Sequence, residues 1–300
     1  LPRSLEIGYS YYGIDYGWSK DFNCAMYILN ADETRNYNIE KYECIGSLYM
    51  NANLSADSFK NLNITAVKGI NFYGMGSIEK FNDFIAFIPN LERLDCSDCN
   101  IEFNSFESLS KLKKLQELHI YIDETSDDLN NIAKIKSLKQ LTIYGKNQKK
   151  EVDFSCLNSL DNLTELSVFY INIKNTKVNN SSIEIIGLHS LILGGNGLIK
   201  GLSNLHSLVF DTVGLPDEFK IESSTINYLD VDTTSLVNGM FEATTNIENL
   251  YISSNSFRDD SYNWNELSQL KKLKLIHIDE HYIDDLSFLE GLTNIEYISL

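Results

Sequence analysis

One pattern recurs along this chain often enough to dictate its architecture: apolar residue, two variable positions, apolar residue, one variable position, apolar residue. It appears at Leu91-Leu94-Cys96, Leu115-Leu118-Ile120, Leu138-Leu141-Ile143, Leu163-Leu166-Val168, Leu205-Leu208-Phe210, Ile226-Leu229-Val231, Ile247-Leu250-Ile252, Leu273-Ile276-Ile278 and Ile295-Ile298-Leu300. Weaker copies begin at Ile45 and Val67. The last two apolar positions, one residue apart, fall on one face of a short extended segment. A lone strand cannot bury that face. Strands stacked in parallel satisfy one another's backbone groups and merge their apolar faces into one continuous core. Starts spaced about 17 to 26 residues apart are those of a repeat array.

The stretch Leu188-His-Ser-Leu191-Ile-Leu193-Gly-Gly-Asn196-Gly-Leu198 fits L-x-x-L-x-L-x-x-N-x-L at every specified position. With about twelve copies over roughly 85% of the chain, the pattern resembles the leucine-rich-repeat family. The resemblance implies an α/β solenoid, or horseshoe, with a concave parallel β-sheet and short helices, 3₁₀ turns and loops on the convex side. The closing segment from Leu286 to Ile298 is similar to internalin-type repeats. The ninth repeat position, where the chain turns, is Asn53, Asn196 or Asn255 in three copies, and an amide there can satisfy backbone groups of adjacent coils.

Return segments carry apolar residues at three-residue spacing, as in Leu129-Ile132-Ile135-Leu138, Phe154-Leu157-Leu160-Leu163 and Leu286-Leu289-Leu292-Ile295. This predicts short helices or 3₁₀ turns. Ser77 to Pro89 reads as the best true helix, with a serine N-cap and a terminating proline. The step of 17 residues from Leu188 to Leu205 predicts a tight coil returning by an extended or 3₁₀ segment. Residues 1–44 match the frame only faintly and read as an N-terminal cap or degenerate repeats. Residues 45–300 read as the array, which ends at Leu300 in mid-repeat and is expected to continue in a longer chain.

Composition removes several functions. With 42 acidic against 25 basic residues, a formal charge of −17 repels phosphate backbones and anionic lipids. A nucleic-acid partner is therefore not expected, and no apolar run is long enough for a transmembrane segment. Cys96-Ser-Asp-Cys99 has the spacing of a redox pair or half a zinc site, but Cys96 fills a buried repeat position and no second C-x-x-C completes four ligands. Cys24 and Cys44 could pair in an N-terminal cap, as they could stay reduced. His119 and His277 are the histidines expected on the concave face, and seven strand spacings of about 4.8 Å keep them from sharing a metal. No catalytic motif, cofactor site or metal site is read, and no enzyme is expected.

A binding surface can be written down, because alternate strand residues project from the concave face. It comprises Tyr73, His119, Tyr121, Tyr144, Phe169, Tyr170, Asp211, Tyr228, Asp230, Asp232, Tyr251, His277 and Asp279, an aromatic centre flanked by acids. Such residues anchor interfaces. The expected function is a non-catalytic scaffold for a protein partner with a basic or mixed surface. Two alternatives stay open: recognition of a carbohydrate or cell-surface ligand, and a targeting module of a larger protein.

Overall fold

The computed structural model describes residues 4–7, 25–28, 47–51, 67–73, 83, 85–97, 106–122, 126–145, 151–253, 262–279 and 285–300. The chain divides into two compact units: Leu1–Ile122 with Asp127–Leu141, and Asp123–Ser126 with Thr142–Leu300.

In the first unit, β1 (Ser4–Ile7), β2 (Ala25–Ile28), β3 (Ser47–Asn51), β4 (Gly69–Tyr73), β5 (Arg93–Asp95) and β6 (Glu117–Ile122) pair in sequence order, and every pairing is parallel. The short helix α1 (Ser126–Ile132) follows. The division falls inside β7 (Gln140–Gly145). In the second unit the sheet runs through β9 (Glu165–Phe169), β11 (Ile185–Ile192), β12 (Ser207–Gly214), β13 (Tyr228–Asp232), β14 (Asn249–Ser253), β15 (Leu275–Ile278) and β16 (Tyr297–Ser299), again parallel and in order. A two-stranded ladder of β8 (Glu151–Val152) and β10 (Asn172–Ile173) lies outside the main sheet and is extended by a bridge from Ile173 to Leu193.

Strand residues alternate between buried and half-exposed in β6, β7 and β9, so these strands give one face to the core, whereas Ile298 of β16 is exposed. Leu118, Leu141, Leu166, Leu208, Leu229, Leu250 and Ile276 hold the first inward position and are essentially inaccessible to solvent. The returns are the short helical pieces that the three-residue spacing predicts: α1, then 3₁₀ turns over Phe106–Lys111, Ser155–Ser159, Trp264–Gln269 and Ser287–Leu289. In the last coil Phe288 is buried, whereas Leu286 is exposed. Of the predicted helix over residues 77–89, the described part holds a 3₁₀ turn at Ile85–Phe87.

One coil departs from the sequence frame. Ile186 pairs with Leu166 and Leu208, and Leu188 with Val168 and Phe210. The repeat therefore begins at Ile183, not Leu188. The intervals become 20 residues from Leu163 and 22 to Leu205, so there is no tight coil, and the return contains the helical turn α2 (Gly197–Lys200). The misreading has a physical origin. In the true frame the ninth position is Leu191, in register with Val213, and Ile171 holds the same place one coil earlier; all three are buried. Aliphatic side chains here replace the expected asparagine. The chain reaches them through a left-handed residue at the eighth repeat position in three successive coils: Tyr170 (φ 59°), Ser190 (φ 51°) and Thr212 (φ 57°).

The polar ladder exists, but it precedes the strand. Ser137, Ser182 and Thr225 donate their hydroxyls to the carbonyls of Leu115, Leu163 and Leu205, the first repeat residue one coil back, at 2.6 to 2.8 Å. Asn204 and Asn294 donate from their amides to Ser181 and Lys271, at 2.6 and 2.7 Å. Asn180 is buried and donates to the carbonyls of Leu157 and Leu160. Asn196, by contrast, is half-buried and donates to the Glu222 carboxylate at 2.9 Å. The glycines around it serve packing: a Cβ at Gly194 would lie 2.9 Å from the Ile173 carbonyl oxygen, and one at Gly201 would lie 2.0 Å from that of Val178. Cys96 is buried in the core. Cys24, Cys44, Cys99, Asn53 and Asn255 lie outside the described residues.

Candidate binding face

Third, fifth and seventh repeat positions point away from the core, and in the second unit they form a graded surface. At the seventh position Tyr144 stacks on Phe169 (centroids 4.7 Å apart, planes 16° apart), and Phe169 stacks on His189 (4.2 Å, 6°). His189 Nδ1 lies 3.3 Å from Asp211 Oδ2. Ring succeeds ring because parallel pairing places Phe169, His189 and Asp211 at equivalent positions on neighbouring strands. Gly187 leaves the space into which the imidazole folds; a Cβ there would be 3.0 Å from His189 Nε2. Tyr170 sits at the corner beside Phe169, exposed, with ring centroids 6.3 Å apart.

His189 is the functional candidate that sequence reasoning missed. The frame shifted by five residues put it beside a core leucine and gave its place to Gly194; counting 20 to 22 residues between starts would have found it.

Further along, Tyr228 and Tyr251 lie 5.4 Å apart and Tyr251 and His277 5.9 Å apart, all with tilted rings. Asp230 sits among these groups, half-buried. Burial pushes its carboxyl above the ordinary carboxylate range; the Asp211 charge adds to the effect, and His189 partly opposes it. The Tyr228 hydroxyl is pushed up as well, first by burial and then by Asp230. Asp279 follows β15, its backbone amide donating to the Ile252 carbonyl. Asp232 does not belong to the exposed face. It is buried, and its carboxylate accepts from the Ser235 amide at 3.1 Å and from the Thr234 hydroxyl at 2.7 Å, capping the 3₁₀ turn Thr233–Ser235. A D-x-x-S segment at a strand end has this local use, which overrides the expected outward alternation.

The first unit holds Tyr73, His119 and Tyr121. Tyr73 ends β4 in register with Asn51. Tyr121 is half-buried on β6. His119 Nε2 lies 2.8 Å from Glu117 Oε1, and Arg93 Nε lies 3.2 Å from the same oxygen. The hydrogen bond with His119 holds the Glu117 carboxyl below the ordinary carboxylate range, with Arg93 assisting against desolvation.

No protein-family model matches the chain, and no curated protein matches it. Solved structures do. The complex of TLR13 with ssRNA13 is similar at a TM-score of 0.53 and 16% identity, over 90% of this chain and 53% of that one. The mouse RP105/MD-1 complex is similar at 0.53 and 19%, over 86% and 47%. An internalin (inlF) from Listeria monocytogenes is similar at 0.40 and 14%, over 87% and 88%. The chain has the leucine-rich-repeat fold. It spans about half the length of the chains it matches in the TLR13–ssRNA13 and RP105/MD-1 complexes. Among the described residues no helix is long and apolar enough to cross a membrane, and no group of three or more His, Cys, Asp or Glu could hold a metal ion.

Proposed function

We propose that this chain is a non-catalytic binding scaffold that holds a protein partner on the exposed strand face of its second unit. The supporting observation is the column Tyr144, Phe169, His189 and Asp211, continued by Asp230, Tyr228, Tyr251 and His277: aromatic area beside charge, on rigid strands. In the same reading residues 1–44 are a cap or degenerate repeats ahead of an array over 45–300.

The carbohydrate alternative needs open ring faces for sugars to lie on. Both faces of Phe169 are covered, by Tyr144 and by His189. The column offers edges and a terminal carboxylate instead, which suits protein side chains. The exposed ring of Tyr170 is what keeps the glycan reading in play.

Capture by the immobilised protein separates the readings. The expected result is that wild type and Lys220→Ala retain a protein partner and Tyr144→Ala/Phe169→Ala loses it, with thermal melting confirming that all three are folded. Glycan-array binding abolished by Tyr170→Ala, with no protein captured, would overturn the proposal.

A further inference from the structure

The exposed face of the second unit has a charge distribution sharper than the whole-chain excess of acid. From β7 to β16 its third, fifth and seventh positions contain Glu165, Asp211, Asp230, Asp279 and the buried Asp232, and neither lysine nor arginine. Among the described residues, three of the unit's lysines are paired on segments leading into or away from the strands. Lys200 pairs with Glu222, Lys220 with Glu242 and Lys274 with Glu248. The imidazoles of His189 and His277 stand near Asp230, and His189 lies 3.3 Å from the Asp211 carboxylate.

Two of these carboxylates share one place. Val209 is the register partner of Asp230, which puts Asp211 and Asp230 on a diagonal of neighbouring strands, about 8 Å between Cα atoms from strand spacing and rise. Asp211 is well exposed, with 58% of its side chain accessible. Asp230 lies lower, beside Tyr228 and in register with Tyr251. Carboxylates at two depths with tyrosine rings alongside match a flat, forked cation better than a compact one. A guanidinium donates in several directions within a plane, stacks on aromatic rings and is weakly hydrated; an ammonium is a strongly hydrated point charge.

We infer that the occupant of this face is a basic polypeptide segment that seats an arginine between Asp211 and Asp230, against Tyr228 and Tyr251. This deepens the protein-scaffold reading and rests on it. Part of the repulsion between the two carboxylates is relieved when the cation arrives, so the site is receptive as it stands. Bulk attraction by an acidic protein would show no such locality.

The test uses fluorescence anisotropy of a labelled oligo-arginine peptide with the full chain. Asp211→Asn/Asp230→Asn is expected to weaken binding by about tenfold. The control Asp217→Asn/Glu218→Gln removes the same formal charge from an exposed turn and is expected to change it less than about twofold. An oligo-lysine peptide of equal length is expected to bind several-fold more weakly than oligo-arginine. Equal losses in the two variants, equal binding of the two peptides, or no binding by wild type would each overturn the inference. If the Tyr144→Ala/Phe169→Ala variant loses a captured protein while Asp211→Asn/Asp230→Asn keeps it, the scaffold reading stands and the arginine assignment fails.

Discussion

The two units bury the same columns of Leu and Ile and differ in what they turn outward. Among the described strand residues of the first, Arg93 and His119 both reach Glu117, and Asp95 takes the Asn71 amide at 3.2 Å and the Ser97 hydroxyl at 2.6 Å. On the second, Asp211 has the His189 imidazole at 3.3 Å and the Thr212 hydroxyl at 3.1 Å, no lysine or arginine holds an outward position on the described strands, and burial, with the Asp211 charge adding to it, holds the Asp230 carboxyl above its usual range. The repeat fixes which positions face out and leaves their occupants free. One scaffold can therefore carry outward surfaces of different charge.

Core truncation tests the shared half of that comparison and should have the largest effect. Leu118→Ala in the first unit and Leu188→Ala in the second are each expected to cost about 2 to 5 kcal/mol in urea denaturation, since both side chains are fully buried. A much smaller loss at Leu188 would undo the register that places His189 on the exposed face. Gly201→Ala follows, at about 1 to 3 kcal/mol, because the added methyl meets a backbone carbonyl.

The outward faces should then respond with opposite sign. Glu117→Gln is expected to lower stability by about 0.5 to 1 kcal/mol at neutral pH. The folded carboxyl titrates below its unfolded value, so wild type's advantage is full above about pH 5 and fades as pH falls through the carboxylate range. Asp230→Asn should raise stability at neutral pH by at most about 0.5 kcal/mol after solvent screening. Here the folded value is the higher one, so the wild type is at no disadvantage at low pH and acquires one as pH rises through it. Like signs for the two would mean that the faces are not different in kind. The smallest change is expected at Asn196→Ala, below about 0.5 kcal/mol in the same denaturation measurement, since its amide serves a glutamate that solvent also reaches.

The solenoid was legible because L-x-L alternation and stacking are one physical requirement expressed many times over. The outward placement of the candidate residues was legible where the frame held: Tyr144, Phe169, Asp211, Tyr228, Asp230, Tyr251 and His277 alternate away from the core with their strands. It failed at Ile183-Ile186-Leu188, where isoleucines begin the repeat and Leu191 takes the asparagine's place, so that a complete but shifted motif lay five residues downstream. Asp232 was lost to a local cap that competes with alternation. Ring stacking was not legible, because residue identity says which rings are neighbours and not whether their faces meet.

That meeting of faces has a spectroscopic consequence. A phenyl ring held between a phenol and an imidazole experiences the ring currents of both, so the Phe169 protons should resonate well upfield of ordinary phenylalanine positions. Anything that settles on the second unit and parts or tightens the stack will move them. The face thus carries its own gauge of occupancy, readable without a label and before the occupant is known.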